Sequence, residues 1–308
     1  IKLIGSGASV PEQSSQYRNY HKPFQTQLPV EFLGYFDWTG QLLLNCLETT
    51  DYMSDHIYPN SSAYFDEASQ SWVPYKFEFL ESIRLTTNRV KNSVETMKKY
   101  EELIPGLKEK PVPYWIDEWV PGRGAGFAST IGAAVALHEM YRSSRYVMMG
   151  GLTSFASLYA SNDVKATISA TGLLFKLFIE RQGDLPLGLS GNIPQPALPG
   201  TQFVDIPMEP SGSPTYPLDI MATKDSKTGK VIVSVANPTE EAQSFALNFD
   251  GGKPAKNVTV YALAPSKMAD ANTVDNPDVI RVQTRTEKYS ANITVPANSV
   301  ILYEYTIQ

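Results

Sequence analysis

The spacing of apolar positions changes character part-way along this chain. Over the first two thirds, short apolar stretches alternate with longer runs of helical spacing. Ile1–Gly5 reads as a strand already under way, so chain preceding Ile1 is expected. A long polar and aromatic segment comes next, then helical spacing over Trp38–Leu47. Asp51–Tyr58 reads as a second strand, closed by Pro59 and Asn60. Phe77–Tyr100 is predicted helical, because Phe79, Leu80, Ile83, Val90, Val94 and Met97 recur at intervals that return to one helix face and no proline intervenes. Val112–Val120 is a third strand, rich in β-branched and aromatic residues and bounded by Pro111 and Pro121. An Ala-rich helix over Phe127–Tyr141, a fourth strand within Tyr146–Leu158 and a helix over Val164–Arg181, stopped at Gly183, complete this part.

Strand and helix in strict alternation is the pattern of parallel βα units. Four such units leave two sheet edges bare, whereas eight close into a barrel, so the expected fold class is α/β, the second half of a (β/α)8 barrel. An open four-unit sheet is the alternative. Between Gly183 and Pro217 prolines and glycines crowd together, and beyond them short alternating strands recur at regular spacing. Leu218–Ala222, Val231–Val235, Phe245–Phe249, Val258–Tyr261 and Val300–Tyr305 predict an all-β sandwich. The expected organisation is therefore a half-barrel over 1–190, a proline-rich connection over 191–216 and a β-sandwich over 217–308.

Composition narrows the picture only a little. Across 308 residues, 42% hydrophobic and 19% charged content describe an ordinary globular chain, and a net charge of -6 without any basic stripe argues against nucleic acid as a partner. No apolar run is long enough to span a bilayer, so no membrane partner is expected. The single cysteine, Cys46, cannot form an internal disulfide; within Leu42–Leu47 it is expected to be a buried, inert thiol. Triplets of the Asn-x-Ser/Thr type at Asn60, Asn257 and Asn292 suit a secreted, extracellular protein.

The chemistry sits where barrel strands end. The third strand finishes Trp115-Ile116-Asp117-Glu118-Trp119, and adjacent residues of a regular strand face opposite ways, so one carboxylate is expected to face inward. An inward carboxylate beside aromatic rings is what a retaining glycosidase uses as nucleophile. A solvated loop start or a helix cap is the plainer reading of such a pair. The second strand puts His56 and Tyr58 on one face, and a tyrosine there can hold a carboxylate ionised and oriented, or simply belong to the core. With only His21, His56 and His138, and no ligand cluster, no metal or cofactor is expected. Gly122–Gly126 lacks the Lys-Ser/Thr ending of a phosphate loop and reads as a rim loop, and no Gly-x-Ser-x-Gly elbow occurs.

In order along the chain, these segments resemble the glycoside hydrolase family 51 α-L-arabinofuranosidases and their clan-A relatives. Ile1–Gly7 looks like the family's fifth barrel strand. The Ser54-x-His56-x-Tyr58 pattern is similar to its sixth, Ile116–Trp119 to its seventh and Arg145–Leu152 to its eighth. The resemblance implies Glu118 as nucleophile, Tyr58 orienting it, and His56, Trp119 and Ser154 lining the sugar site. It also implies an oligosaccharide or polysaccharide substrate from plant cell walls and a homo-oligomer as one arrangement. The family's acid/base glutamate comes directly after an asparagine on the fourth strand. No Asn-Glu pair occurs here, so that acid is expected from the N-terminal half of the same protein, about 5–5.5 Å from Glu118. The sequence departs from the pattern at Val120-Pro121-Gly122, where the family continues with asparagine, and at Thr153-Ser154, where it offers a glutamine. Both departures touch sugar recognition and leave open an endo-β-glycanase or β-xylosidase. A carbohydrate-binding protein that kept the fold without catalysis also remains open.

Overall fold

The computed structural model describes residues 2–7, 38–58, 63–66, 68–69, 71–74, 79–121, 126–153, 155–191 and 217–308. Strand β1 (Ile4–Gly5) is followed by helix α1 (Trp38–Cys46), strand β2 (Tyr52–Ile57) and a hairpin of β3 (Ala63–Asp66) with β4 (Ser71–Pro74). Then come α2 (Phe79–Ser82), α3 (Leu85–Leu103), β5 (Tyr114–Trp119), α4 (Phe127–Arg142) and β6 (Val147–Leu152). Helix α5 (Phe155–Leu158), the hairpin β7 (Tyr159–Ser161) and β8 (Ala166–Ile168), and α6 (Ala170–Arg181) close the first part. The remainder is extended: β9 (Leu185–Leu187), β10 (Asp219–Lys224), β11 (Val231–Asn237), β12 (Gln243–Ala246), β13 (Asn257–Leu263), β14 (Gln283–Lys288), β15 (Asn292–Val295) and β16 (Ser299–Tyr305).

The four βα strands form one parallel sheet in the order β1-β2-β5-β6. Its helix-facing side is mostly apolar for a geometric reason. On β2, Met53, Asp55 and Ile57 alternate onto the helix side, while on the other side His56 is exposed and Ser54 is covered, its Oγ accepting from the Gly7 amide at 3.3 Å. Asp55 on the buried side accepts a hydrogen bond from Ser93 of α3 (2.6 Å). Helix α3 turns Val90, Val94, Met97 and Tyr100 inward, one residue per turn. Helix α4 is buried nearly all round because it lies between the parallel sheet and the second sheet, and its alanines allow that close packing. At its start Gly126 adopts φ +63°, and a Cβ there would fall 2.5 Å from the Ala269 carbonyl oxygen, so only glycine suits this crossing.

The second sheet runs β14-β13-β16-β11-β10-β9, with β12 and β15 paired separately. Strands β11 and β16 read as continuous apolar runs because both faces of this sheet are covered. Ile232, Ala236, Val300 and Leu302 join the core shared with the helices, while Val233, Val235, Ile301 and Tyr303 join a second core with Ile293 and Val295.

Several expectations need amendment. Helix α6 begins at Ala170, not Val164, because residues 159–168 form a hairpin; Ser169 caps the helix by accepting from the Gly172 amide (3.0 Å). Leu185–Leu187, placed by sequence with the half-barrel, pairs antiparallel with β10. Cys46 is exposed, since the helix turns Thr39, Leu43 and Leu47 inward and leaves the last residue of α1 outside that line. Most of the proline-rich connection, at 192–216, lies outside the described residues.

Candidate active site

Strands β2, β5 and β6 end level with one another. His56 pairs with Glu118, Ile57 with Trp119 and Trp119 with Leu152, and the Thr153 amide donates to the Trp119 carbonyl (3.0 Å). Tyr58, Glu118 and Thr153 are therefore neighbours at the C-terminal edge of the parallel sheet, the face on which parallel barrels carry their reacting groups.

The alternation expected of β5 fails just there. Between Trp115 and Glu118 the strand advances three residues while β2 advances two, and between Ile116 and Trp119 it advances three while β6 again advances two. One extra residue in β5 is a β-bulge, and it re-aims the side chains beyond it. Trp119 falls on the same buried side as Ile116, and both carboxylates preceding it stay on the open side, with side chains 28% exposed for Asp117 and 41% for Glu118. The expectation that only one of the pair faces inward is thereby corrected.

The Tyr58 hydroxyl donates to Glu118 Oε2 at 2.5 Å, a charge-assisted contact at the short end of the range. Its oxygen also lies 3.3 Å from Thr153 Oγ1. The His56 imidazole bridges the two acids, with Nδ1 3.4 Å from Glu118 Oε2 and Nε2 3.4 Å from Asp117 Oδ1. Both are ion-pair distances and not hydrogen bonds: Asp117 Oδ1 is buried without a hydrogen-bond partner among the described residues. Oε2 of Glu118 is thus approached by two side chains. Oε1 accepts no hydrogen bond among the described residues, which leaves it as the oxygen free to attack an electrophile.

No family model matches the chain. It is 20% identical over 301 residues to a protein named "Intracellular exo-alpha-L-arabinofuranosidase" from Bacteroides ovatus, covering 87% of this chain and 53% of that one. A solved structure titled "The crystal structure of Arabinofuranosidase" superposes with a TM-score of 0.73 at 17% identity, covering 99% of this chain and 58% of its own. The GH51 α-L-arabinofuranosidase of Thermotoga petrophila superposes at 0.68 and 16% identity, covering 99% and 57%. The fold is that of the C-terminal part of the family 51 arabinofuranosidases. This chain spans just over half the length of the relatives it matches.

Within that family 51 fold, His56, Tyr58 and Glu118 converge, while two other expected residues do not join them. Trp119 is fully buried and stacks on Phe175 of α6, with ring centroids 5.9 Å apart. Its ring is therefore not offered to a sugar, and the bulge is the cause. Ser154 lies outside the described residues, as do most of the Gly122–Gly126 loop, His21 and Asn60. Asn257 and Asn292 are exposed. Sequence reasoning missed Asp117 as a partner of His56 and Thr153 as a partner of Tyr58. The bulge that brings Asp117 round carries no glycine or proline to announce it, whereas Thr153 stood one residue beyond the fourth strand and could have been paired with Tyr58 by register.

Among the described residues no group of three His, Cys, Asp or Glu side chains is arranged to hold a metal ion, and no helix is long and apolar enough to cross a membrane. In the second sheet Tyr261, Tyr303 and Tyr305 are buried in the cores, and burial pushes the Tyr303 phenol up to about 12.

Between α4 and the second sheet lies a sealed cluster. Asp219 of β10 meets His138 Nδ1 (2.9 Å), Arg142 Nη1 (2.8 Å) and Arg84 Nη1 (3.5 Å), and His138 Nε2 meets Ser234 Oγ (2.7 Å). Burial alone would raise the Asp219 carboxyl, but Arg142, the hydrogen bond from His138 and Arg84 together hold it well below the carboxylate range. Complete burial pushes the His138 imidazole below its ordinary value, against the upward pull of Asp219.

Proposed function

We propose that this chain supplies the nucleophile-bearing half of a retaining glycoside hydrolase acting on α-L-arabinofuranosides of plant polysaccharides. The observation that carries the reading is the 2.5 Å hydrogen bond from Tyr58 to Glu118 Oε2 at the C-terminal edge of the parallel sheet. A carboxylate that attacks an anomeric carbon must be ionised and fixed in direction, and a phenol donating to one oxygen does both. Oε1 attacks, a glycosyl ester forms on Glu118, and water then releases the sugar with retention. His56, with Nδ1 3.4 Å from Oε2, stands beside the nucleophile where its ring can meet a sugar hydroxyl.

The acid that protonates the leaving oxygen and later activates water belongs, in this reading, to a complementary half-barrel. Two observations favour such a half. Strands β1 and β6 have a neighbour on one side only among the described residues, and this chain covers only 58% of the relative it superposes on. Apolar side chains beside these edges are bare, Leu3 at 51% and Met148 at 56% exposed, where the missing strands of a closed barrel would add.

The test is Glu118→Gln in the protein assembled with that half, assayed on aryl α-L-arabinofuranoside, arabinan, xylan and β-glucan. A fall on the order of 10³-fold or more on whichever substrate the parent cleaves is expected. Near-normal turnover would remove the reading. Cleavage confined to xylan or β-glucan would keep the nucleophile and replace the sugar, and binding without turnover by the parent would mark a carbohydrate-binding protein.

A further inference from the structure

We propose that Thr153 is a positioning residue that acts on the nucleophile through Tyr58, in a relay of three hydroxyl and carboxylate groups. The inference rests on Glu118 being the attacking group and adds a residue to that machinery. A phenol has one hydrogen, and two acceptors among the described residues lie within reach of it, Glu118 Oε2 at 2.5 Å and Thr153 Oγ1 at 3.3 Å. The charged, closer oxygen takes it. Thr153 then has its own hydrogen to give, and the phenol oxygen has a lone pair to accept it. The chain runs Thr153 Oγ–H to Tyr58 O–H to Glu118 Oε2, each donation making the next donor more polar.

The backbone fixes the first member of this relay. The Thr153 amide is bound to the Trp119 carbonyl, one residue beyond Glu118, so the hydroxyl and the carboxylate it serves are carried by the same strand ends. The side chain of Trp119, wedged between the sheet and α6, anchors that junction. Once Glu118 becomes a glycosyl ester, its oxygens are poorer acceptors. Thr153 Oγ1 then offers the phenol hydrogen a second resting place without any movement of the strands. No bond in the sugar reaction passes through Thr153; it sets where the Tyr58 hydrogen lies before and after the covalent step.

The experiment compares Thr153→Val, which keeps the shape and loses the hydroxyl, with Thr153→Ser, each alone and in a Tyr58→Phe background. It uses the protein assembled with its complementary half-barrel. Loss of one neutral hydrogen bond predicts a fall in kcat/KM of about fivefold for Thr153→Val, carried by kcat with KM little changed. The acid limb of the pH profile should move toward neutrality, and Thr153→Ser should restore both. In the Tyr58→Phe background Thr153→Val should cost nothing further, because the relay is already cut. A Thr153→Val profile superimposable on the parent overturns the inference, as does an equal loss in both backgrounds, which would place the threonine on the sugar directly. If Thr153→Val does not fold, Thr153→Ala with its serine counterpart is read by the same criteria. Glu118→Gln is run alongside. Activity surviving there removes the nucleophile and the relay together, whereas an inactive Glu118→Gln beside an unaffected Thr153→Val removes the relay alone.

Discussion

Glu118 and Asp219 each meet a histidine, yet the two carboxylates live in opposite surroundings. The Glu118 side chain is 41% exposed, its histidine is half-exposed, and one carboxylate oxygen is left without a protein partner among the described residues. Asp219 is sealed, and both of its oxygens are engaged by His138, Arg142 and Arg84. The first arrangement leaves reactivity available at the edge of a sheet. The second uses both oxygens to join α4 and the residue before α3 to β10, fastening the half-barrel to the sandwich. The residue types are nearly the same. What separates a reacting site from a joint is whether an oxygen remains unspent and whether solvent or substrate can reach it.

Exchanging the demands on the two carboxylates breaks the comparison most sharply. Glu118→Gln should lower turnover on the order of 10³-fold or more, at least about 4 kcal/mol in the barrier, while shifting the urea midpoint hardly at all. Asp219→Ala should do the reverse. It strands His138, Arg142 and Arg84 around an empty buried position, and unpairing a buried charge cluster costs about 3–5 kcal/mol. Equilibrium denaturation followed by circular dichroism would measure it. Equal loss of stability in the two variants would show that Glu118, too, is a structural acid.

The two regions also differ in how far the sequence betrayed them. The strand at 114–119 was readable because β-branched and aromatic residues cluster between Pro111 and Pro121, and the one at 52–57 because Pro59 and Asn60 close it; the level register of parallel strands is a consequence of their sharing a sheet. The resemblance to the family then brought Glu118, His56 and Tyr58 together on those strands. The bulge in β5 was not readable, since it is a matter of backbone count against two neighbours and leaves no mark in Asp117-Glu118. Trp119 was therefore assigned to the wrong side. The joint was less legible still. His138 lies in an Ala-rich helix and Asp219 at the start of a strand 81 residues on, and nothing local says that they meet. Strand β14 was invisible for a simpler reason: Gln283–Lys288 is exposed throughout, so no apolar alternation marks it.

A smaller effect sharpens the open side of the comparison. Tyr58→Phe removes a hydrogen bond to a charged oxygen and keeps the ring, so kcat/KM should fall by about 10- to 150-fold, the range for one such bond of about 1.5–3 kcal/mol. The loss should appear in kcat, because the phenol supports the attacking group and not the bound sugar. If KM rises instead and kcat holds, Tyr58 contacts the substrate, and the hydrogen bond to Glu118 belongs to the empty site alone.

The smallest effect belongs to the sealed side and is a matter of pH. His138 stays neutral when folded, because burial depresses its imidazole below the ordinary 6.5 it regains on unfolding. Between those two values the unfolded chain binds a proton that the folded one refuses, so this group's contribution is intact above about pH 6.5 and is lost as pH falls toward the folded value. One proton sets the limiting slope, about 1.4 kcal/mol per pH unit. Asp219, held low, adds a second loss only as pH drops through the ordinary carboxylate value of 3.8. Arg84, Glu139, Arg142 and Lys91 surround the pair; the two arginines keep their charge throughout, and burial lowers the Lys91 ammonium from its ordinary 10.5. His138→Gln can donate to Asp219 and accept from Ser234 without titrating. Urea unfolding of the parent at pH 7.5 and 5.5 should show a decrement that the glutamine variant lacks, and His56, half-exposed and present in both proteins, cancels from the difference. An identical decrement in the two would mean that the joint opens to protons before the fold does, and that its isolation from solvent is not what distinguishes it from the site at Glu118.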